Sequence, residues 1–176
     1  MKRIIILIAL GLMPILSTAQ DFRKYEDMKD VDAVIMTSKM FKMLAKVDLS
    51  DNDPEAKKYM DMIEHLNEIR LYKSNASTVR KEMATDFKAY LSKGSLDELM
   101  RVKESGKNIQ FFAKSAPNND NVVQELLMFM DGEDDGEPIS VILRITGDID
   151  LSQLSKLTKD LNVPGADQLK NAKTKS

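Results

Sequence analysis

Hydrophobic patterning divides the chain at its start. Behind Lys2-Arg3, an unbroken apolar run extends from Ile4 to Leu12, Pro14 interrupts it, and the small residues Ser17-Thr18-Ala19 follow. A charged end, a short apolar core and a small-residue site in that order read as a secretory signal peptide over 1–19, because the peptidase needs small side chains one and three positions before the cut. Cleavage after Ala19 leaves Gln20 at the mature N-terminus. The run is too short to span a bilayer comfortably, and no later segment approaches the roughly 20 apolar residues a membrane helix requires. The expectation is an exported protein with no membrane span after cleavage.

Past the leader, 20–30 is polar and reads as a loose lead-in to a single domain over 31–165. Val31 to Met36 alternates and is β-prone, and Ser38 is placed to cap a short helix through Lys46. Asp53-Pro54-Glu55 is a helix start, with an N-cap oxygen, a proline preset for the first turn and a carboxylate facing the dipole. Ala56, Tyr59, Met60 and Ile63 then share a face. Ile69 and Leu71, two apart, predict a strand. Asn75 or Ser77 opens the longest helix, whose Val79, Met83, Phe87, Tyr90 and Leu91 follow the 3.6-residue period up to Gly94.

The second half changes from helical to strand periodicity. Leu96 to Lys103 and Asn108 to Ser115 read as strands joined by a turn at Gly106, with Ile109, Phe111 and Ala113 on one face. Val122 to Met130 would serve as a helix face or a strand. The acidic turn Asp131 to Glu137 and the β-prone run Ile139 to Ile145 behind it favour a hairpin. Asp150 is placed to cap a last helix with Leu151, Leu154, Leu157 and Leu161 inward, stopped by Pro164-Gly165, and 166–176 is a polar tail. The predicted class is α+β, a largely antiparallel sheet with helices packed on one face.

Composition narrows the chemistry. Removing Lys2 and Arg3 takes the formal charge from −2 to −4, which argues against nucleic acid as a partner. With no cysteine, disulfides, thiolate zinc sites, cysteine nucleophiles and a lipid-bearing cysteine are all excluded. His65 is the single histidine, near the end of a predicted helix where a positive charge is favourable, and no nucleophile elbow accompanies it. One histidine without cysteine makes a poor zinc site. No glycine-rich phosphate loop occurs.

Two acidic runs resemble the opening of a calcium loop. Asp131-Gly132-Glu133-Asp134-Asp135-Gly136 has Ile142 at the twelfth position, where a bidentate glutamate is required, and Asp48 to Asp53 has Tyr59 there. The first reads instead as a solvated hairpin turn and the second as a helix entry. Methionine is the more unusual signal, with 12 in the chain. Met36, Met40 and Met43 are spaced for one side of a helix, and soft thioethers bind copper(I), so they are candidate soft-metal ligands. Against that stands the use of methionine as adaptable core filler where aromatic residues are few. No catalytic residues and no cofactor are expected.

Gly147-Asp148-Ile149-Asp150-Leu151, after the strand Ser140 to Ile145, resembles the closing signature of domain of unknown function family 4252, small exported proteins of Bacteroidetes-type bacteria. There the glycine permits a sharp exit from the strand and the aspartate caps a helix. The resemblance implies export, to the periplasm or beyond the cell, and a link to extracytoplasmic-function sigma factors. It carries no catalytic residues. The function expected is therefore a non-catalytic envelope module for interaction or sensing, with an envelope protein as partner. The alternative is a periplasmic protein that binds a small ligand or copper. An interaction module should present an apolar patch or an unpaired strand edge; a binding protein or enzyme should present a deep pocket with convergent polar groups.

Overall fold

The computed structural model describes residues 22–44, 57, 60–61, 63–94, 96–104, 106–117 and 119–150. A 3-10 helix, Phe22–Asp27, leads into β1 (Asp32–Thr37) and the short helix α1 (Ser38–Leu44). Next come β2 (Leu66–Ser74), the long helix α2 (Ser77–Lys93), β3 (Asp97–Glu104), β4 (Lys107–Ala116), β5 (Asn119–Asp134) and β6 (Glu137–Asp150). The six strands form one sheet in the order β1-β2-β6-β5-β4-β3, and every pairing is antiparallel. The class is α+β, as the periodicity predicts.

The topology follows from one crossing and one meander. After pairing with β1, the chain leaves β2 through α2, crosses the sheet, and starts again at the far edge with β3. From there β3, β4, β5 and β6 run as consecutive antiparallel neighbours until β6 docks beside β2. The 17 residues of α2 give a helix about 25 Å long, enough to cover the four strand spacings, about 19 Å, that separate β2 from β3.

Both faces of the sheet are buried. On the α2 face, Val79, Met83 and Phe87 of the helix pack with Tyr72, Phe112, Leu127, Phe129 and Ile142. Phe87 stacks on Phe129 at 4.7 Å between ring centroids and meets Phe112 edge-on at 5.7 Å. The opposite face gathers Ile69, Phe111, Leu126, Met128, Leu143 and Ile145, among others, together with Phe41 of α1 and Ile63 of a helical stretch before β2. Helices are thus not confined to one face: α2 lies on one, and Phe41 of α1 and Ile63 of the stretch before β2 pack on the other.

The lead-in departs from expectation. The stretch read as a loose lead-in contains the 3-10 helix, and Phe22 and Tyr25 are buried in the α2-face cluster. Its polar residues Arg23, Lys24, Glu26 and Asp27, around those two anchors, are exposed. Helix α2 opens at Ser77, one of the two expected starts, with Ala76 at its N-cap and no side-chain cap. Ser74 acts from outside the helix, accepting a hydrogen bond from the Ala76 N–H and donating to the Asp30 carbonyl.

Gly147 does not end its strand. β6 continues to Asp150, pairing with Val122 and Val123, and Gly147 sits opposite Leu66 at a register shift. Its φ of +140° lies in a region that side-chain-bearing residues rarely adopt. A Cβ there would overlap the His65 carbonyl oxygen and lie 2.8 Å from Leu66 Cα. The Asp148 N–H donates to that same carbonyl at 3.0 Å, tying the end of β6 to the start of β2. Asp150 is the last residue of β6, and the predicted helix behind it lies outside the described residues, as do the helix start at Asp53-Pro54 and the leader with its Ala19–Gln20 junction.

Candidate interaction edge

The sites suggested by composition divide between the fold's scaffolding and its edges. The acidic run Asp131–Gly136 is mostly strand. Asp131 to Asp134 pair with β6, leaving Asp135 and Gly136, at φ 50° and 82°, as a two-residue turn. Positive φ at both positions is the geometry of a type I′ hairpin turn, for which Asp-Gly is a favoured sequence. Asp131 accepts from Arg80 and from the Ser140 hydroxyl, and Asp134 pairs with Lys107 at 3.1 Å. Among the described residues no group of three His, Asp or Glu is arranged to hold a metal ion. Asp48 to Asp53 lies outside them.

His65 is exposed just past a helical stretch, and its Nδ1–H donates to the Asp61 carbonyl at 2.6 Å. That hydrogen bond raises its pKa above the ordinary histidine value. Met36, Met40 and Met43 do not share a helix face. Met36 is in β1 and packs partly buried against the core, because the strand runs on to Thr37 before α1 begins. Met40 and Met43 stand three apart on α1, 44% and 59% exposed.

A polar network that the sequence reading missed lies on the α2 face. Arg70 and Arg144 are directly opposite one another on β2 and β6. Arg70 is buried; it pairs with Glu26 of the 3-10 helix, grips Glu68 through two bonds of 2.6 Å, and donates to the Tyr72 hydroxyl. Arg144 donates to Glu125 at 2.8 Å and to the Tyr90 hydroxyl, which itself donates to Glu125 at 2.5 Å. Closer to α2, the Tyr25 hydroxyl donates to Asp86 at 2.5 Å, and Lys24 bridges Asp86 and Glu82. These pairs satisfy charges that the sheet has desolvated, and they fasten the 3-10 helix to α2 and β2. An arginine in the middle of the apolar run Val141 to Ile145 was the available signal.

Burial pushes the Tyr90 hydroxyl up to about 12, reinforced by its bond to Glu125, and burial with the bond to Asp86 raises Tyr25 as well. Both groups are neutral when protonated. Between pH 10 and 12 the unfolded chain releases a proton from Tyr90 that the folded chain keeps, so stability falls as pH rises through that window. Denaturation midpoints on either side of pH 10 should show this alkaline loss, and Tyr90→Phe, which leaves the Arg144–Glu125 pair in place, should reduce its slope to the share that Tyr25 keeps. An unchanged slope in that variant would assign the loss to other groups.

The surface is uneven in one respect. Among the described residues five large apolar side chains are exposed, and four of them, Val34, Ile35, Met40 and Met43, fall in β1 and α1. β1 is an edge strand, as is β3 on the other side. β3 carries Asp97, Glu98, Arg101, Lys103 and Glu104 and a register shift between Glu98 and Met100, the ordinary means of keeping a free edge from pairing. β1 has only Asp32 as a charge, no proline, no lysine and an uninterrupted register against β2.

At the start of β1 a groove of about 510 Å³ is lined by Asp30 and Asp32, by Lys73 to Asn75 at the end of β2, and by Asp134, Asp135 and Glu137 at the hairpin turn. It is predominantly acidic and holds none of the arginines described above.

The family model for a domain of unknown function (DUF4252) matches residues 25–157, most of the chain. The chain belongs to this family. No curated protein and no solved structure matches it. The DUF4252 region takes in the sheet from β1 to β6, the 3-10 helix from Tyr25 and both of the edges compared above. No helix among the described residues of this DUF4252 protein is long and apolar enough to cross a membrane.

Proposed function

We propose that this DUF4252 protein is an exported, non-catalytic interaction module of the cell envelope, working beside the regulators of extracytoplasmic-function sigma factors. The observation that carries the reading is the β1–α1 edge: among the described residues, four of the five exposed large apolar side chains gather there, on and beside a strand that pairs only with β2. An edge strand offers backbone donors and acceptors for an added strand, and flanking apolar side chains make that addition favourable. Export rests on the leader pattern of 1–19, and the sigma-factor setting on the family resemblance.

Lys39 and Lys42, exposed on α1, make the reading testable without labels. Amine-reactive cross-linking in the native envelope, followed by mass spectrometry, should give protein–protein links concentrated at Lys39 and Lys42, and the N-terminal peptide of the same protein should begin at Gln20. Links spread evenly over the exposed lysines of α2 and β3, or none, would contradict an edge-mediated function.

A further inference from the structure

Resting on the interaction reading above, we infer that the β1 edge pairs with the β1 edge of a second copy of this chain, antiparallel and about a two-fold axis at Ile35, joining two six-stranded sheets into one. The two ends of the strand carry opposite charge. β1 begins at the acidic groove, where Asp30, Asp32, Asp134, Asp135 and Glu137 outnumber Lys29 and Lys73. It ends at α1, where Lys39 and Lys42 are exposed and no carboxylate lies between Ala33 and Leu44. A strand with an acidic start and a basic finish is self-complementary when laid antiparallel, because each end meets its opposite, and it repels itself when laid parallel.

Register follows from the pleat. Residues on β1 alternate between the faces, Ala33 and Ile35 sharing the α2 face with Tyr72 and Arg70, Val34 and Met36 the other with Leu71 and Ile69. A continuous sheet must keep each face with its like, so the two-fold axis passes through a residue rather than between two. With the axis at Ile35, Val34 faces Met36 of the other copy, Ala33 faces Thr37, and Lys39 arrives between Asp30 and Asp32. With the axis at Val34, Asp32 would face Met36 and the charge match would be lost. The seam covers Val34 and Ile35, 47% and 37% exposed in the single chain, and sets Met40 and Met43 beside it.

The absence of cysteine allows a clean test. In the purified protein, Ile35→Cys should oxidise to a covalent dimer at concentrations where Leu99→Cys, on the guarded edge β3, stays monomeric. Equal cross-linking at both positions, or none at either, would overturn the pairing. Sedimentation of the cysteine-free protein should show concentration-dependent dimers. Lys39→Glu with Lys42→Glu should weaken them about tenfold, since several exposed pairs turn repulsive at once. Adding Asp30→Lys and Asp32→Lys should restore them, a rescue that damage to the fold could not produce. A protein monomeric at every concentration would overturn self-pairing alone, if cross-links to a different protein still gathered at Lys39 and Lys42. Absence of links there as well would remove the interaction reading with it.

Discussion

Replacing Gly147 with valine should cost the domain about 3–5 kcal/mol, summing the strain of a glycine-only backbone angle and the overlap of a new side chain with fixed backbone. The neighbours are the His65 carbonyl, Leu66 Cα at 2.8 Å and Asn67 N at 2.9 Å, all main chain, so nothing nearby can move aside cheaply. The same contact fastens β6 to β2, the one pairing that joins the β3–β6 meander to the β1 side of the sheet. Urea denaturation of wild type and Gly147→Val measures it directly. Gly136→Ala is the control: its φ is also positive, but a Cβ there meets nothing within 4 Å, so the loss should be nearer about 1 kcal/mol. Equal losses at the two positions would show that the close approach at Gly147 does not matter.

Arg70→Met should be the second severe change, at about 3 kcal/mol. The substitution keeps much of the side-chain volume but removes the cation between Glu26 and Glu68, both only partly exposed, and leaves two carboxylates facing a sheet that cannot solvate them. Because Glu26 belongs to the 3-10 helix, that helix should loosen first, exposing Phe22 and Tyr25. Adding Glu26→Gln and Glu68→Gln should recover part of the loss. Recovery would identify stranded charge as the cause; no recovery would point to packing around the arginine stem. Either way the readout is the denaturation midpoint, with hydrogen exchange of the peptide over 22–27 following the helix.

The strands of this fold were legible where they face two different environments and obscure where they do not. β4 shows its period plainly, with Ile109, Phe111 and Ala113 inward on one face. β5 does not: Leu126 to Met130 are all buried, because β5 lies mid-sheet with a cluster on each side, and two buried faces erase the alternation that distinguishes a strand from a helix. The hairpin behind it, closed by Asp135-Gly136, resolved what the period could not. Helix α2 was predicted from Val79, Met83, Phe87, Tyr90 and Leu91; it buries the first three, packs Tyr90 and Leu91 partly buried against the same cluster, and also buries Asp86, which the period did not mark.

What sequence could not supply was the neighbour of each strand. That Gly147 lies in mid-strand, against β2, depends on a partner more than seventy residues away, so the glycine read as an exit. The lead-in looked loose because Phe22 and Tyr25 are spaced by a 3-10 turn, and their burial depends on a face formed later in the chain. Met36, Met40 and Met43 fit one helical face only if the helix starts before Met36, and β1 takes that residue instead. The candidate site was hidden for the same reason. Val31 to Met36 reads as a strand at once, but its single charge, Asp32, matters only because the topology leaves it at an edge, whereas β3, equally at an edge, is guarded.

The central claim is that β1 is an open edge, and amide hydrogen exchange reads it most directly. Peptides covering 32–37 and 97–104 would be followed in the purified protein from dilute to concentrated solution. The account predicts that β1 exchanges quickly when dilute and gains protection as concentration rises, while β3 stays the same throughout. Protection of β1 that is already complete in dilute solution and does not change would mean that the edge is covered within its own chain, and the account would be wrong.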